Sequence, residues 1–463
     1  MRTRFVNLRI PAGGDDTKNA EIVVADGIFE EILPAGSETA SGDERWVNLR
    51  GALVLPGVID GHVHFDDPGF THREDFGSGT SAAAAGGVTC VVDMPCTSLP
   101  PVTTPDALAT KVRTIQPKAM VDFMLWGGVS GNTMADEGWR DSLEELVLAG
   151  IGAIKIYCLS GMESFTELEY SQIREVLTVA RDLGIPVGVH AEDPTIVREL
   201  TRDAQNRGNE PADYAASRPA LAEVAAVRAV IDACRETGGH AHVVHLASGA
   251  ALDLITEART EGVRITVETC PHFLQFTMDD LLRQGSLLKT APVVKSMEDR
   301  ERLWQGVASG EIDFIATDHA PGQWPEEKST GSIWNDYAGV PGVETMLPYL
   351  YSEGVSSGRI TLQRLVELTA SNPATFFGIV HRKGALTEGH DADFVVFDDN
   401  VHWKVVSSEL HNLNRYSPFD GLELTGRVRA TYVRGEPIFE RAADGRELFS
   451  PAGKGKWILR ESR

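Results

Sequence analysis

Short, nearly continuous apolar runs alternate with segments of helical periodicity through the middle of the chain. The runs cover residues 54–65, 89–95, 121–129, 152–158, 186–193, 241–248, 264–272 and 313–321. Runs that do not alternate with polar residues are typical of strands buried on both faces of a parallel sheet. Helix-like segments such as 77–87, 166–184 and 220–239 lie between them. This succession predicts an α/β fold, specifically a (β/α)8 TIM barrel.

A doubly wound parallel sheet is the alternative architecture for such a pattern. It would need a glycine-rich phosphate-binding turn after its first strand. The first run ends instead in His62, Val63 and His64, and no GxGxxG motif follows it. The barrel is therefore the preferred prediction.

The two ends of the chain carry a different pattern, in which short alternating segments are separated by turn residues. Such segments predict strands and hairpins. Residues 1–56 and 380–463 are therefore expected to pair into one small β-sandwich domain beside a barrel of residues 57–379. After the eighth apolar run, the insertion at 322–342 is long for a barrel loop, and long loops at the catalytic face are usually functional.

The charge balance excludes several classes of partner. The sequence has 43 Lys and Arg against 67 Asp and Glu, a formal net charge of −24. This excess of acid disfavours binding to nucleic acid or to an anionic membrane, since both attract cationic surfaces. No apolar stretch approaches the roughly 20 residues of a membrane helix, and no signal peptide is expected at the N-terminus. Scattered cysteines without a CxxC pair fit reduced thiols in the cytoplasm.

Chemistry-bearing side chains stand at or near the ends of the predicted strands. They are His62, His64, Lys155, His190, His245 and Asp318. In barrel enzymes the active site lies at the carboxyl ends of the strands, so residues distant in sequence converge there. Imidazoles and a carboxylate in one mouth are typical metal ligands. Each histidine alone is more simply explained as a core or solvated residue, but their joint placement predicts a metal centre.

The spacing of His62 and His64 supports this hypothesis, because side chains two residues apart on a strand share a face. Asp60 shares that face as well. Lys155 differs from the others, since a protonated ammonium cannot be a ligand. Burial in its apolar strand would lower its pKa. Lys155 either pairs with a carboxylate such as Asp318, or takes up carbon dioxide as a neutral amine and becomes a carbamate that can bridge two metal ions.

These motifs resemble a known family. DGHVH at 60–64, Lys155, the two later histidines and TDHAP at 317–321 are similar to motifs of the amidohydrolase superfamily. PGVIDGHVHFDDPG, EDFGSGTSAAAAGGVTCVVDMP, ETCPHFL and GALTEGHDADFVVFD more closely resemble its cyclic amidohydrolases. That group includes dihydroorotases, allantoinases and the hydantoinases or dihydropyrimidinases. The resemblance extends over nearly the whole chain.

The resemblance implies a centre of two divalent transition metal ions. N6-carboxylated Lys155 would be shared by both ions, with the first histidine pair and Asp318 on one and His190 and His245 on the other. Such nitrogen and oxygen ligands suit zinc, and also cobalt, manganese or iron. A hydroxide bridging the ions would attack a ring amide carbonyl, with Asp318 as the catalytic proton shuttle. The resemblance further implies a homotetramer, or at least a dimer.

Departures from the subfamily patterns bear on the substrate. Dihydroorotases hold a substrate carboxylate with Arg, Asn and His at the positions that Asp66, Cys96 and Gly322 occupy here. These three partners are replaced, and Asp66 would repel an anion. A site without its charge partners rejects a charged substrate, so we expect a neutral ring.

Hydantoinases and dihydropyrimidinases carry a Tyr five residues after the metal-binding Lys, where this chain has Ser160; Tyr157 is expected to project differently. Allantoinases have a small hydroxyl residue there, and they resemble this chain in DMP followed by SLPPVTT and in DHAPGQWPEEK. The leading expectation is hydrolysis of a neutral cyclic ureide, allantoin to allantoate. A hydantoinase-like or dihydroorotase-like activity on another ring is the alternative. Substrate contacts are expected from Asp66, Cys96, Ser160, Ala291 and Gly322.

Two non-enzymatic hypotheses remain. Some relatives of dihydropyrimidinases are scaffolds that have lost their ligands, but all six ligand positions are retained here. In the other hypothesis, the histidines are plain core residues of a barrel. Near the site, His272 and His319 are expected to be structural, and His72 and Arg73 to pair with loop carboxylates.

Overall fold

The computed structural model describes residues 2–37 and 44–461. Its strands are Thr3–Gly13 (β1), Asp16–Ala25 (β2), Ile28–Pro34 (β3), Arg45–Pro56 (β4), Val58–Val63 (β5), Val88–Asp93 (β6), Asp122–Leu125 (β7), Gly127–Gly128 (β8), Ile154–Tyr157 (β9), Val187–His190 (β10), Ala241–Val243 (β11), Ile265–Thr269 (β12), Phe314–Ile315 (β13), Phe394–Lys404 (β14), Glu423–Val433 (β15), Glu436–Arg441 (β16) and Glu447–Phe449 (β17).

The α-helices are Phe76–Ala85 (α1), Pro105–Ile115 (α2), Gly131–Met134 (α3), Trp139–Leu148 (α4), Tyr170–Leu183 (α5), Pro194–Gln205 (α6), Pro211–Ser217 (α7), Ala220–Thr237 (α8), Gly249–Thr260 (α9), Pro271–Gln275 (α10), Met278–Gln284 (α11), Met297–Ser309 (α12), Met346–Tyr349 (α13), Leu362–Val366 (α14) and Asn372–Phe376 (α15). Short 3-10 helices lie at Gly285–Leu288 and Ser407–Glu409, and π-helical segments at Leu350–Ser356 and Glu367–Ser371. Among the described residues, no helix combines the length and apolar character needed to cross a bilayer.

The middle of the chain forms two parallel sheets with helices between successive strands. Their strand orders are β5-β6-β7 and β13-β12-β11-β10-β9-β8. This mixed α/β fold agrees with the apolar runs of the sequence. Only Trp126 separates β7 from β8, and its indole Nε1 donates to the carbonyl of Gly61 at 2.9 Å. At the other edge, an isolated parallel bridge joins Val63 to His319.

The predicted helices lie close to their predicted positions. α5 and α8 end at Gly184 and Gly238, whose φ angles of 69° and 70° are left-handed and favour glycine. α5 begins several residues later than predicted, because Asn132 holds the preceding segment. Its side-chain Oδ1 accepts hydrogen bonds from the backbone and hydroxyl of Thr166, both at 2.8 Å.

Both ends of the chain contribute to one mixed sheet, in the order β17-β16-β15-β14-β4-β1-β2-β3. The antiparallel pairing of β4 with β14 joins the N-terminal strands to the C-terminal ones. This pairing agrees with the expectation that the two β-rich ends associate.

This eight-stranded sheet is strongly curled. Three strands separate β3 from β14, which in a flat sheet would hold them roughly 19 Å apart at the usual strand spacing. The rings of Phe29 on β3 and Phe394 on β14 nevertheless lie 6.2 Å apart between centroids. Phe5 and Tyr432, also on strands that are not neighbours, approach to 5.3 Å. The sheet therefore folds over a buried aromatic core.

The last described residues leave this sheet and return to the parallel strands. The amide of Phe123 in β7 donates to the carbonyl of Lys456 at 3.0 Å, and the amide of Ile458 donates back to Phe123 at 2.8 Å. The sequence pattern assigned all of 380–463 to the β domain and did not anticipate this return. The polar segment 451–457 has no periodicity that would mark it.

A buried cluster of charges joins the β domain to the parallel strands. The Nζ of Lys383 lies 2.7 Å from Asp122 of β7 and 3.1 Å from Asp391, and it also bonds Asp393. Burial alone would lower the pKa of Lys383, but these carboxylates outweigh it and raise that pKa. Arg434 adds a second cation on Asp122. Buried charges are tolerated only when paired in this way.

We therefore expect Lys383→Met to destabilise the protein by about 3–5 kcal/mol, because it removes the cation that three buried carboxylates share and leaves only Arg434 and Arg382 beside them. Urea unfolding followed by circular dichroism measures the loss. Lys404→Met, which removes an exposed lysine of β14, is the matched control. An equal effect of the two substitutions would show that the cluster contributes no particular stability.

Candidate metal centre

The histidines and the aspartate predicted at the strand ends lie together at the carboxyl edge of the parallel sheets. His62 lies in β5, and His64 is the first residue after that strand. Their Nε2 atoms are 3.3 Å apart. Asp318, beyond β13, places its Oδ1 3.1 Å from the first Nε2 and 3.2 Å from the second. These three groups are close enough to hold one metal ion.

A second pair of imidazoles adjoins the first. His190 ends β10 and His245 follows β11, with the Nδ1 of His190 3.0 Å from the Nε2 of His245. The ring of His245 also lies 5.5 Å from that of His62. Burial lowers the pKa of His190 and of His245, so both imidazoles are in the neutral form that ligates a metal.

Three residues at this edge have left-handed backbone conformations without being glycine. The φ angles are 46° at Asp66, 41° at His245 and 48° at Asp318. Such conformations cost of order 1–3 kcal/mol each and concentrate at functional sites. Here they occur just beyond strands, where they turn side chains into the mouth that the parallel strands share.

Glu268 of β12 orients the imidazole of His62. One oxygen accepts from Nδ1 of His62 at 2.6 Å and from the amide of His245 at 3.2 Å, and the other lies 3.2 Å from Nε2 of His242. Burial would raise the pKa of Glu268, but the histidines hold it at about 2. The carboxylate holds Nδ1 of His62, which directs Nε2 of the same ring toward Asp318.

The other imidazoles are oriented by their own partners. Glu192 accepts from Nε2 of His190 at 2.9 Å and is itself held by Arg218, which leaves Nδ1 of His190 directed toward His245. The Nδ1 of His64 faces the hydroxyl of Thr97 at 3.2 Å. Neither Glu192 nor Glu268 was identified from the sequence. A carboxylate inside an apolar strand, as in ITVET at 265–269, was the available signal.

Lys155 of β9 lies at the same edge and is fully buried. Its Nζ has no hydrogen-bond partner among the described residues, so the expected alternative of a pair with Asp318 is not formed. The ring centroid of Tyr157 lies 4.7 Å from Nζ. Burial lowers the pKa of Lys155 despite nearby carboxylates. A buried amine without a partner, close to the histidine pair, fits a lysine that is modified to become a ligand.

The donor set as a whole fits divalent transition metals. It combines imidazole nitrogens and a carboxylate oxygen, with outer carboxylates holding two of the rings. The fit rests on the converging Nε2 atoms of His62 and His64 and on the unsatisfied Nζ of Lys155.

Tyr157 is closer to the centre than the sequence suggested. Its ring stacks on the imidazole of His190 at 5.1 Å between centroids. Its hydroxyl lies 3.1 Å from Sγ of Cys96, and that sulfur is 3.9 Å from Nδ1 of His64. The phenol and the thiol therefore line the wall beside the metal ligands. The sequence placed Cys96 at the substrate site without assigning it a role. In the structure its thiol pairs with the hydroxyl of Tyr157.

The other expected substrate contacts differ in whether their polar groups already form hydrogen bonds within the protein. The hydroxyl of Ser160 donates to the carbonyl of Phe165 at 2.7 Å and accepts from the amide of Met162 at 3.1 Å, so its own loop engages it. The amide of Gly322 donates to the hydroxyl of Tyr416 at 2.9 Å. Ala291 precedes a cis proline and is half-buried.

Asp66 differs from the other expected contacts. It is fully buried, and neither carboxylate oxygen accepts a hydrogen bond from the described residues. Burial raises the pKa of Asp66 to about 7, even though His64, the nearby hydroxyl of Thr97 and Arg73 act in the opposite direction.

Ion pairs and hydrogen bonds hold the long insertion at 322–342 in place. Glu327 accepts from Arg73 at 2.7 and 2.6 Å, which confirms the expected pairing of Arg73 with a loop carboxylate. Lys328, buried, donates to the carbonyls of Tyr337 and Gly339. The guanidinium of Arg73 also lies 4.3 Å from the ring centroid of Tyr337. The insertion is thus a fixed wall of the mouth.

Several polar residues beside the ligands have structural partners. Asp60 accepts from the amide of Thr317 at 3.0 Å and from its hydroxyl, which ties β5 to the segment before Asp318. The Nδ1 of His319 accepts from the amide of Gly342 at 3.1 Å, and its Nε2 pairs with Glu74 at 3.2 Å. The structural role expected of His319 agrees with these contacts.

A parallel α/β fold with imidazoles, a carboxylate and a buried lysine at its strand ends is that of a metal-dependent hydrolase. The profile of the amidohydrolase family matches residues 53–438. The chain therefore belongs to the amidohydrolase family, and within it to the cyclic amidohydrolases.

Individual relatives are similar over most of the chain. An allantoinase of Rubrobacter xylanophilus is 37% identical over 94% of this chain and 93% of its own length. An L-hydantoinase of Paenarthrobacter aurescens is 34% identical over 96% and 98%. Among solved structures, an L-hydantoinase from Arthrobacter aurescens superimposes with a TM-score of 0.92 at 32% identity, covering 99% of each chain. A dihydropyrimidinase from Brevibacillus agri has a TM-score of 0.92 at 28% identity, covering 100% of this chain and 99% of its own.

We expect Glu268→Gln to lower metal affinity by about 10- to 100-fold, because an amide cannot fix the proton of His62 as a carboxylate does. Competition with a chromogenic chelator measures the affinity. Glu344→Gln is the matched control, since Glu344 holds His411 in a similar pair, with Oε1 3.0 Å from Nδ1, away from this centre. A loss no larger than that of the control would remove Glu268 from the metal site.

Proposed function

We propose that this cyclic amidohydrolase opens the ring of a neutral cyclic ureide, with allantoin as substrate and allantoate as product, in purine nitrogen recovery. The observation that carries the proposal is the mouth of the strands, where the expected ligands surround a buried amine beside the unpaired Asp66. The similarity to allantoinases over more than nine-tenths of the chain supports the choice of ring.

We propose that two divalent ions are held here. His62, His64 and Asp318 would hold the first, and His190 and His245 the second, with N6-carboxylated Lys155 bridging them. Zinc is the ion we favour, and cobalt, manganese or iron also suit this donor set. The absence of any protein partner for Nζ of Lys155 among the described residues supports the carboxylated form.

The chemistry is hydrolysis of a ring amide. Bound at these residues, the ions would lower the pKa of a water molecule and polarise the ring carbonyl. Water adds to the carbonyl carbon, the ring C–N bond breaks, and the carbon becomes a carboxylate. Asp318 accepts the proton of the attacking water and donates it to the leaving ring nitrogen. Tyr157 and Cys96 line the wall along which the ring would lie.

Asp66 bears on the choice of ring. A buried carboxylate without donors would face the carboxylate of a dihydroorotate ring with like charge, so a dihydroorotase activity is disfavoured. A hydantoinase or dihydropyrimidinase activity is the second candidate. The high structural similarity to an L-hydantoinase favours it. A non-catalytic scaffold is disfavoured, since all six expected ligand positions are occupied by suitable residues.

We also infer the finer architecture. The two parallel sheets would form a single (β/α)8 barrel of residues 57–379, closed through Trp126 and the Val63–His319 bridge. The curled sheet of residues 1–56 and 380–463 would form a small β-sandwich, with the segment from about 453 returning to the barrel. We propose a homotetramer, or a dimer, in the cytoplasm. The five free, buried cysteines are compatible with a reducing compartment.

A panel of rings tests the proposed substrate. Allantoin, hydantoin, dihydrouracil and dihydroorotate are offered to the metal-loaded enzyme, and ring opening is followed by chromatography. We expect allantoin to give the highest kcat/KM and dihydroorotate to stay closed. Asp318→Asn is the control for catalysis by the site, expected to lose about 10²–10⁴-fold in kcat while other ligands keep the metal.

Preferential opening of dihydroorotate would overturn the argument from Asp66. A preference for hydantoin or dihydrouracil would establish the second candidate. Near-normal turnover by Asp318→Asn would place the proton shuttle on another residue.

A further inference from the structure

A cavity of about 530 Å³ lies at the end of the parallel strands opposite to the metal ligands. Its walls include Pro186, His240 and Arg264, which directly precede β10, β11 and β12. Exposed residues at its rim, Gly184 and Thr375, leave it open to solvent. The cavity is therefore separate from the mouth, and its volume is within the range of roughly 300–1,000 Å³ typical of small-molecule sites.

Arginines give this cavity a positive wall. Arg264 is exposed, and its guanidinium forms no hydrogen bond or ion pair with the described residues. Arg460 also lines the cavity and donates to two backbone carbonyls at 2.9 and 2.8 Å, which fixes where its guanidinium lies. Asp313, the carboxylate among the lining residues, pairs with Arg259. In a chain with a net charge of −24, a cationic cavity favours an anion.

The rest of the lining is largely aromatic. The rings of His240 and Phe376 line the cavity with 6.0 Å between their centroids, and Phe314 lies behind them. Burial lowers the pKa of His240 to about 3, and His242 and Arg264 act in the same direction, so this imidazole is uncharged at neutral pH. An apolar wall beside guanidinium groups suits an organic anion with a flat apolar body.

His240 begins a row of hydrogen-bonding groups that runs through the strands to the metal ligands. Its Nε2 lies 3.0 Å from the hydroxyl of Thr266, and the same hydroxyl lies 2.9 Å from Nδ1 of His242. The Nε2 of His242 lies 3.2 Å from Glu268, whose other oxygen is 2.6 Å from Nδ1 of His62. The row therefore connects the wall of the cavity to the metal centre through consecutive contacts.

The hydroxyl of Thr266 makes this row sensitive to what binds at His240. It has one proton and lies between two imidazoles, so it donates to one of them and accepts from the other. An anion that accepts a hydrogen bond from Nδ1 of the uncharged His240 requires the proton on that nitrogen, and Nε2 then accepts from the hydroxyl. His242 must in turn donate from Nδ1 toward Thr266. The hydrogen bonding of His242 with Glu268 therefore depends on whether the cavity is occupied.

We propose that the cavity is a binding site for a small organic anion, a carboxylate or phosphate on a flat apolar body, and that the row from His240 transmits its occupancy to His62. Arg264 and Arg460 hold the anionic group, since guanidinium groups form charge-assisted hydrogen bonds with carboxylates and phosphates alike. Phe376 packs against the apolar body. The binding site does not depend on which ring the mouth opens, whereas the transmitted effect rests on the metal centre proposed above.

Calorimetry with benzoate, phenyl phosphate and the neutral benzamide tests binding to the metal-loaded protein. We expect at least one of the two anions to bind, and benzamide to bind about 10-fold more weakly or not at all. Arg264→Gln should weaken binding of the anion by about 10-fold or more. Thr375→Trp, which fills the cavity from its exposed rim, should abolish it. Arg228→Gln is the matched control, since it removes an exposed arginine that does not line the cavity.

Failure of both anions to bind would overturn the site, as would benzamide binding as tightly as the anions. Equal affinity of Arg264→Gln and wild type would also overturn it, and would place the anion at the metal ions instead.

Competition with a chromogenic chelator, with and without the saturating anion, tests the transmission. We expect the anion to change metal affinity by about 5-fold or more in the wild type and to leave it unchanged in Arg264→Gln. Thr266→Val keeps nearly the same shape without the hydroxyl, so it should still bind the anion while the change in metal affinity disappears. A wild-type metal affinity that ignores the anion, or a change that persists in Thr266→Val, would overturn the transmission. Ring opening is not measured here, so failure of the proposed substrate leaves both tests intact.

Discussion

The buried amine of Lys155 sets the strongest constraint on this structure. A charged ammonium in that position would need a carboxylate or carbonyl partner, and none of the described residues provides one. Burial accordingly lowers the pKa of Lys155, and the nearby histidines direct ring nitrogens toward one another. The strand ends, the left-handed residues at His245 and Asp318 and the outer carboxylates together hold this arrangement. The result is a group of potential metal ligands gathered at one place, which is what binding of a cation requires.

Charge is distributed in layers around this centre. Imidazoles form the inner layer, and Glu268 and Glu192 behind them each pair with one ring nitrogen, of His62 and of His190. Each outer carboxylate is itself held, Glu268 by His242 and Glu192 by Arg218. The acidity of the whole chain says little about this local field, which any bound ions would dominate.

Much of this arrangement was predictable from the sequence. Continuous apolar runs predicted the parallel strands, and the position of His190 at the end of its run predicted where its side chain would lie. Partners were harder to predict, since the pairing of Glu268 with His62 joins residues 206 apart in the chain. The local bonds of Ser160 and the return of the C-terminal segment depend on loop conformation, which carries no periodic signal. The contacts of Tyr157 with Cys96 and His190 were likewise not predictable, since they join separate strands and loops.

The number of divalent ions bound per chain tests the central claim most directly. Elemental analysis of protein reconstituted in the presence of bicarbonate should find about two ions in the wild type. In Lys155→Met, which keeps the apolar bulk of the side chain, the bridging ligand is lost and the count should fall to one or fewer. Fewer than about one ion in the wild type, or an unchanged count of two in Lys155→Met, would contradict the account.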